Sequence, residues 1–135
     1  MRNLYQNIDL TSRAMDASWK RNEVIANNIA NVNTPDFKKS TVEFETILKE
    51  TISRNTLRGK ITHRNHIPIG VSDPSSVEYQ IDHKNNYSAR RDGNNVDIDV
   101  EMAERAKNEL WYQTLSTSVS GQFHKLRTVI TEGSK

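Results

Sequence analysis

The first 35 residues of this chain are MRNLYQNIDLTSRAMDASWKRNEVIANNIANVNTP, and their spacing predicts one long helix that sets the fold. Neither Pro nor Gly occurs before Pro35, so the helical pattern is unbroken over residues 1–34. One face has residues spaced alternately by four and three, as in a coiled-coil seam. The seam consists of Leu4, Ile8, Thr11, Met15, Ser18, Asn22, Ile25, Ile29 and Val32. Because several of these positions are polar, the seam is expected to need a specific partner.

Asparagines crowd the end of this helix. Asn31 and Asn33 precede Thr34-Pro35, and the residue before a proline is pushed out of the helical region, so they mark the stop. Asn27 and Asn28 lie inside the helix, where asparagine is unfavourable. An amide can donate and accept, and it is buried without the desolvation cost of a charge. We therefore expect amide-lined packing between neighbouring helices; a plain helix terminator is the simpler alternative.

A second long helix is predicted over residues 97–131. Asp97 and Asp99 are candidate N-caps, and no Gly occurs between Gly93 and Gly121. Two apolar stripes run along it, which indicates that it faces more than one neighbour. The first stripe is Tyr112, Leu115, Val119, Gln122, Leu126 and Val129, widened by Phe123 and Ile130, and the second is Ala103, Ala106 and Leu110.

The middle of the chain, residues 35–96, lacks a long helical period. Residues 41–52 fit a short helix or an extended arm, while 67–71 and 77–81 read as short strands. The predicted fold is mainly α: long N- and C-terminal helices are paired as a coiled-coil-like bundle, with an irregular middle segment containing short strands or an extended arm. Residues 1–34 and 97–131 would form one core domain, with 35–96 as a separate middle segment.

Composition narrows the function classes. Of 135 residues, 34% are hydrophobic, so one copy has little material for a well-filled core. With 19 Lys plus Arg against 17 Asp plus Glu, the net charge of +2 argues against a strongly basic nucleic-acid binder. The absence of cysteine excludes disulfides and thiolate chemistry. No apolar run suits a membrane span or a secretory signal, so the protein is expected either to stay in the cytoplasm or to leave without a cleaved signal.

Side chains that could bind a metal, a phosphate or nucleic acid occur in this sequence, but not in the patterns that such sites need. His63 and His66 are three apart, yet no carboxylate or Cys completes a metal set, which favours exposed histidines. Residues 92–101 faintly resemble a calcium loop, but the glycine and ligand spacing fail, which favours a turn followed by a helix cap. Basic residues over 54–64 lack interleaved aromatics. The sequence therefore predicts no enzyme, metal site, cofactor, nucleic acid or small-molecule ligand.

A decapeptide at the end of the first helix has a family resemblance. Ala26-Asn27-Asn28-Ile29-Ala30-Asn31-Val32-Asn33-Thr34-Pro35 resembles the N-terminal signature of the rod and hook family of the bacterial flagellum. The usual family pattern after the proline is Gly-Tyr-Lys; here Asp36-Phe37-Lys38 keeps the aromatic and the lysine. A glycine there would suit a positive φ, which Asp tolerates better than most residues. The chain length resembles that of a proximal rod subunit, and so do the segments 92–102 and 108–113.

The resemblance implies a structural subunit of the flagellar basal-body rod in the periplasm, which assembles helically and transmits motor torque for motility. The implied partners are further copies of the chain, the rod proteins FlgC, FlgF and FlgG, the rod-to-ring adaptor FliE and the flagellar type III export apparatus. Export without a cleaved signal peptide would fit this route. Phe44-Glu-Thr-Ile-Leu48 is similar to the element that the family presents at the export gate; an apolar anchor on a neighbouring subunit is the alternative.

Two other interpretations stay open: the sister proximal rod subunit FlgC, and a cytoplasmic coiled-coil adaptor or chaperone that uses the same seams. In the rod interpretation, seam and signature residues form the subunit interface, with Phe44 and Leu48 as the export element. The expected interface residues are Ile8, Met15, Asn22, Ile25, Ala26, Asn27, Asn28, Ile29, Ala30, Asn31, Asn33, Thr34, Pro35, Leu110, Tyr112, Leu115, Val119, Phe123 and Leu126.

Overall fold

A computed structural model describes residues 2–54, 77–84 and 90–133. In chain order these ranges hold helix α1 (Arg2–Ala30), strand β1 (Ser40–Glu43), helix α2 (Glu45–Arg54), strand β2 (Gln80–His83) and helix α3 (Ile98–Glu132). The prediction of a mainly α fold with long terminal helices and short strands between them is confirmed. The predicted strand over residues 67–71 and the histidine pair at 63 and 66 lie outside the described residues.

Helix α1 ends at Ala30, four residues before the predicted limit. Asn31 still donates its backbone N–H to the carbonyls of Asn27 and Asn28, but its side-chain amide also bonds the Asn27 carbonyl at 2.8 Å. Thr34 then donates its backbone N–H to the Asn31 carbonyl at 3.0 Å. Because side-chain amides and turn hydrogen bonds take over the last carbonyls, the chain leaves the helix before the proline is reached.

Helix α3 begins as predicted at an aspartate cap. Asp97 has extended backbone angles, and its carboxylate accepts hydrogen bonds from the backbone N–H groups of Asp99 (3.0 Å) and Val100 (3.3 Å). Asp99 and Glu101 add negative charge to the first turn, where the helix dipole favours it. The helix has 35 residues and would be about 52 Å long at 1.5 Å per residue.

The two long helices pack antiparallel. Asn28, near the end of α1, contacts Glu101 at the start of α3, whereas Thr11 contacts Gln122 in the second half of α3. The seam predicted on α1 faces α3, with Ser18 and Ile25 buried.

The middle of the chain begins as a strand and continues as a helix, so residues 41–52 combine both predicted alternatives. Strand β1 pairs antiparallel with β2, with Val42 opposite Ile81. The second predicted strand is shifted: β2 begins at Gln80, three residues after Val77. Val77 instead joins Ala17 and Phe44 in a small core against α1, together with half-buried Leu10, Ala14, Ile47 and Leu48.

Candidate assembly interface

The centre of the α1–α3 contact is polar. Asn108 is almost fully buried, and its side-chain amide donates to the Ser18 carbonyl and to the Asn22 side-chain oxygen, both at 2.9 Å. The Ser18 hydroxyl donates to the Asn108 side-chain oxygen at 3.0 Å. Because the buried side chains of Asn108 and Ser18 have partners, their contact is tolerated in the interior and specifies one register of the helices.

Arg21 connects this centre to the middle segment. Its guanidinium donates to the Asn108 side-chain oxygen (3.5 Å), the Val42 carbonyl (3.4 Å) and the Glu45 carboxylate (2.6 Å). Desolvation by burial tends to raise the pKa of Glu45, but the Arg21 hydrogen bond, backbone N–H groups and the Arg21 charge together hold that pKa below its ordinary value. One side chain thus joins α1, α3, β1 and the start of α2.

Asn28 has a similar role nearer the end of α1. Its side-chain oxygen accepts the Ser40 N–H at 3.0 Å, and its amide donates to the Ser40 carbonyl (2.9 Å) and the Glu101 carboxylate (3.1 Å). The Lys39 ammonium lies 3.5 Å from the other oxygen of Glu101, which is itself buried. The Asn28 amide thus lies between two neighbouring helices, α1 and α3, of the same subunit, and it also binds α1 to β1.

The turn that follows α1 is held by a distant asparagine. Asn94 is fully buried, and its side-chain amide donates to the carbonyls of Asn31 (2.9 Å), Val32 (3.0 Å) and Thr34 (2.9 Å). Its side-chain oxygen accepts the Val96 N–H at 2.7 Å. The N-terminal signature and residues 92–96 are consequently one structural unit, although some 60 positions separate them in sequence.

Asp36 and Gly93 meet at the edge of this unit. Asp36 has a φ of 58° and Gly93 a φ of 73°, and both lie in the left-handed region. Asp36 donates its N–H to the Asp92 carbonyl at 2.8 Å, and Lys38 donates to the Gly93 carbonyl at 2.5 Å. A Cβ on Gly93 would collide with the Asp36 carboxylate. The position where the family pattern has glycine does require a positive φ, and here aspartate adopts it.

Phe44 and Leu48, the residues of the expected export element, lie in the subunit's own core. Phe44 is buried beside Ala17 and Val77, and Leu48 packs at the margin of this cluster. Leu48 also donates its backbone N–H to the Phe44 carbonyl at 2.9 Å. In the folded subunit the Phe44 ring is therefore covered by other parts of the same chain.

Large apolar side chains remain on the outside of both long helices. Trp19 on α1 and Leu110 on α3 are each 66% exposed, and Phe123 is 54% exposed. A groove of about 940 Å³ runs between α1, β1 and α3, with Val24, Val100 and Trp111 among its lining residues. Apolar surface of this extent along two helices is typical of an interaction face.

The structure divides the expected interface residues into two groups. One group is buried or half-buried and packs within the subunit, on α1, on α3 and, for Asn31, in the turn after α1: Ile8, Met15, Asn22, Ile25, Asn28, Ile29, Asn31, Tyr112, Leu115, Val119 and Leu126. The others are exposed and available to a neighbour: Ala26, Asn27, Ala30, Asn33, Thr34, Pro35, Leu110 and Phe123.

Several residues that organise the site were not anticipated from the sequence. Glu101 and Asn108 continue the Leu115 stripe at a seven-residue spacing, which indicates that they share its buried face. They were not predicted to be buried because their side chains are polar. For Asn94, the sequence indicated only a position in a turn beside Gly93, with no sign of burial. Nothing local in the sequence relates Asn94 to the Asn31–Thr34 carbonyls.

Within residues 2–54, 77–84 and 90–133 there is no group of three or more His, Cys, Asp or Glu residues arranged to hold a metal ion. No helix in the same ranges combines the length and apolar character that a membrane crossing needs.

Known proteins resemble this chain over most of its length. Residues 8–38 match the family model described as flagella basal body rod protein. The chain is 38% identical to the flagellar basal body rod protein FlgB of Bacillus subtilis (strain 168) over 113 residues, which cover 84% of each protein. It is 32% identical to FlgB of Escherichia coli (strain K12), with 89% of each covered, and 29% identical to FlgB of Aquifex aeolicus (strain VF5), with 94% of each covered.

Proposed function

The chain belongs to the family of flagellar basal body rod proteins FlgB, and from this premise we propose that it is a structural subunit of the proximal rod of the bacterial flagellum. The role is one of assembly, with no catalysis. The observation that supports it most directly is near full-length similarity to FlgB proteins of distant species. The exposed apolar faces of α1 and α3 agree with a subunit whose neighbours complete its packing.

The physical basis of the role is stiffness. A rod that transmits motor torque must resist shear and twist, and long helices joined by buried hydrogen bonds meet this need. The Asn108–Ser18 and Asn28–Glu101 contacts hold α1 and α3 in one register at two levels. Sliding one helix past the other would leave these buried groups unpaired, at a cost of about 1–3 kcal/mol for each group.

The proposed partners are further copies of this chain, the rod proteins FlgC, FlgF and FlgG, and the rod-to-ring adaptor FliE. The proposed place is the part of the basal body that crosses the periplasm, reached through the flagellar type III export apparatus without a cleaved signal peptide. Phe44 and Leu48 are the proposed export element. Since Phe44 is buried in the folded subunit, the element would be recognised on an unfolded chain.

The exposed and buried interface residues would have different tasks. Exposed signature residues such as Asn27 and Pro35, with Leu110 and Phe123, would contact neighbours directly, while the seam residues would keep the two helices together. We also propose that residues 1–34 with 97–131 form the core that is built into the rod wall, with 35–96 as a middle segment attached to it.

Purification of hook–basal bodies tests the assignment. Cells that lack this gene should lose motility, and the restored protein should copurify with basal bodies after detergent extraction. A protein that stays in the soluble fraction of motile cells would contradict the rod role and favour an adaptor.

A further inference from the structure

Building on the rod role proposed above, we propose that neighbouring copies of this chain contact one another by inserting Trp19 of α1 into a depression between small residues on α3 of a second copy. The inserted surface, called the Trp19 face, comprises Trp19 with Asp9, Asp16 and Glu23. The receiving surface, called the Gly121 face, comprises Thr114, Ser118 and Gly121, bracketed by Lys107 and Lys125.

The Trp19 face is an acidic and aromatic stripe on the outside of α1. Trp19 is 66% exposed, and Asp9, Asp16 and Glu23 are exposed as well. Glu23 accepts two hydrogen bonds from the Lys20 ammonium, at 3.0 and 2.9 Å, so the negative charge offered to a partner comes mainly from Asp9 and Asp16. The three acids are spaced by seven residues, so they lie almost in line along the helix, beside Trp19. A large exposed indole with aligned carboxylates fits a partner that offers both a recess and positive charge.

The Gly121 face offers that recess. Thr114, Ser118 and Gly121 line an open depression of about 580 Å³, together with Thr117, Gln122 and Lys125. Glycine is unfavourable in a helix interior, and Gly121 lies well inside the 35 residues of α3. A Cβ added there would meet nothing within 4 Å, so packing in the described part of the subunit does not demand glycine. A neighbouring side chain would explain the missing bulk.

The charges of the two faces are complementary. Lys107 and Lys125 bracket the small residues on α3, and both are exposed. Lys107 has an ion pair with Glu104 at 3.6 Å, but that pair is largely exposed and therefore weak, so it can be exchanged for a partner's carboxylate. Opposite charges on the two faces would guide the docking and discriminate against wrong registers.

The two faces lie on opposite sides of the helix pair. Thr114 lines both the depression and the groove between α1, β1 and α3, and Arg21 lines that same groove. The Gly121 face is therefore next to the groove. Trp19 is two residues from Arg21, which places it about 160° around α1. A subunit therefore cannot fill its own depression. Two copies joined in this way leave one free Trp19 and one free depression, and a heterologous contact that does not close produces a filament.

Filling the depression tests the contact without disturbing the subunit. Gly121→Leu adds bulk where the subunit has open space, so far-UV circular dichroism of the purified chain should be unchanged or show more helix. Recovery of this variant in basal bodies should fall at least about tenfold, as at a contact dominated by a buried tryptophan. Ser116→Leu is the control, because it places the same leucine side chain on the exposed surface about 140° around α3. Normal motility and normal recovery of Gly121→Leu would overturn the proposal.

The absence of native cysteine allows a direct test of the geometry. Basal bodies that contain the Asp16→Cys, Ser118→Cys double variant should give dimers, trimers and higher multimers with a short bismaleimide cross-linker. Each single variant should give none. Dimers from either single variant, or no multimers from the double variant in intact basal bodies, would overturn the head-to-tail contact.

Charge reversal identifies the partner. Lys107→Glu with Lys125→Glu should impair assembly, and adding Asp9→Lys, Asp16→Lys and Glu23→Lys to the same chain should restore it if the partner is a second copy. Failure of rescue, with the subunit still entering basal bodies, would assign the face to another rod protein and overturn this inference. The rod role itself would fail only if the unmodified chain were missing from basal bodies.

Discussion

Asn108 and Ser18 exchange two hydrogen bonds across the α1–α3 contact: the Asn108 amide donates to the Ser18 carbonyl at 2.9 Å and accepts the Ser18 hydroxyl at 3.0 Å. They lie 90 residues apart in the sequence and are both almost fully buried. This reciprocal pair sets the register of the two helices.

Asn108→Ala should destabilise the helix pair by about 1–3 kcal/mol, because the Ser18 hydroxyl loses its buried acceptor. Glu109→Ala, on the exposed neighbouring position, should change stability by less than about 0.5 kcal/mol. Thermal unfolding followed by circular dichroism measures both. Equal midpoints for the two variants would show that the buried pair contributes nothing.

Asn94→Asp should be more damaging than Asn94→Ala. Alanine removes the donor to the three carbonyls that follow α1, whereas aspartate also places a negative charge against their oxygens. Limited proteolysis should cut both variants faster than the native chain around residues 31–36. A native cleavage pattern in Asn94→Asp would contradict this role of Asn94.

Asp36→Gly should be neutral or slightly stabilising, because glycine adopts the φ of 58° without strain. Gly93→Ala should be destabilising by more than about 1 kcal/mol, since it adds both strain at positive φ and a clash with the Asp36 carboxylate. Denaturant midpoints compare the two. If Gly93→Ala unfolds at the native midpoint, the close approach of these residues is wrong.

The Arg21–Glu45 ion pair should make stability depend on pH in the acid range. The folded-state pKa of Glu45 is lowered, so its contribution is fully present above the ordinary glutamate pKa and is lost as the pH falls through the folded value. The unfolding midpoint should therefore drop less between neutral and acid pH in Glu45→Gln than in the native chain. Identical pH profiles would exclude a contribution from the pair, whose partly exposed carboxylate keeps the effect small.

Leu115→Asp and Ile29→Asp should both abolish rod assembly, because each puts an unpaired charge into the α1–α3 seam. Leu115 is buried and Ile29 is half-buried, so the first variant should also lose more helix in circular dichroism. Motility in soft agar and recovery in basal bodies provide the readout. Normal swimming of either variant would show that its seam position tolerates charge.

The pattern of the terminal segments was sufficient for much of the fold. Helical spacing predicted α1 and α3, the face on which α1 packs, and the packing face of α3 from Tyr112 to Leu126. The second predicted stripe of α3, at Leu110, and the end of the first, at Val129, are exposed. Asp97 was identifiable as a cap from its place before the helix. These features follow from local propensity and periodicity. The end of α1 was predicted too late because the asparagine side chains compete for its last carbonyls, an effect that depends on their rotamers.

The interface was predictable only in part. The seam positions were recognised, and Asn28 was expected in amide-lined packing between helices. It does bind Glu101 of α3, but its contact with Ser40 of β1 was not foreseen. Glu101 and Asn108 continue the heptad and were missed because polar residues are usually placed outside. They are buried here because each finds hydrogen-bond partners on α1.

Helical periodicity and the signature around Pro35 were enough to predict two long helices with packing faces and a resemblance to flagellar rod proteins, since both are properties of neighbouring residues. The pairing of Asn94 with the Asn31–Thr34 carbonyls, and the opposite placement of Trp19 and Gly121, depended on the folded chain. Contacts between residues far apart in sequence arise when α1 and α3 dock in one register, and buried amides select that register only once all their partners are in place.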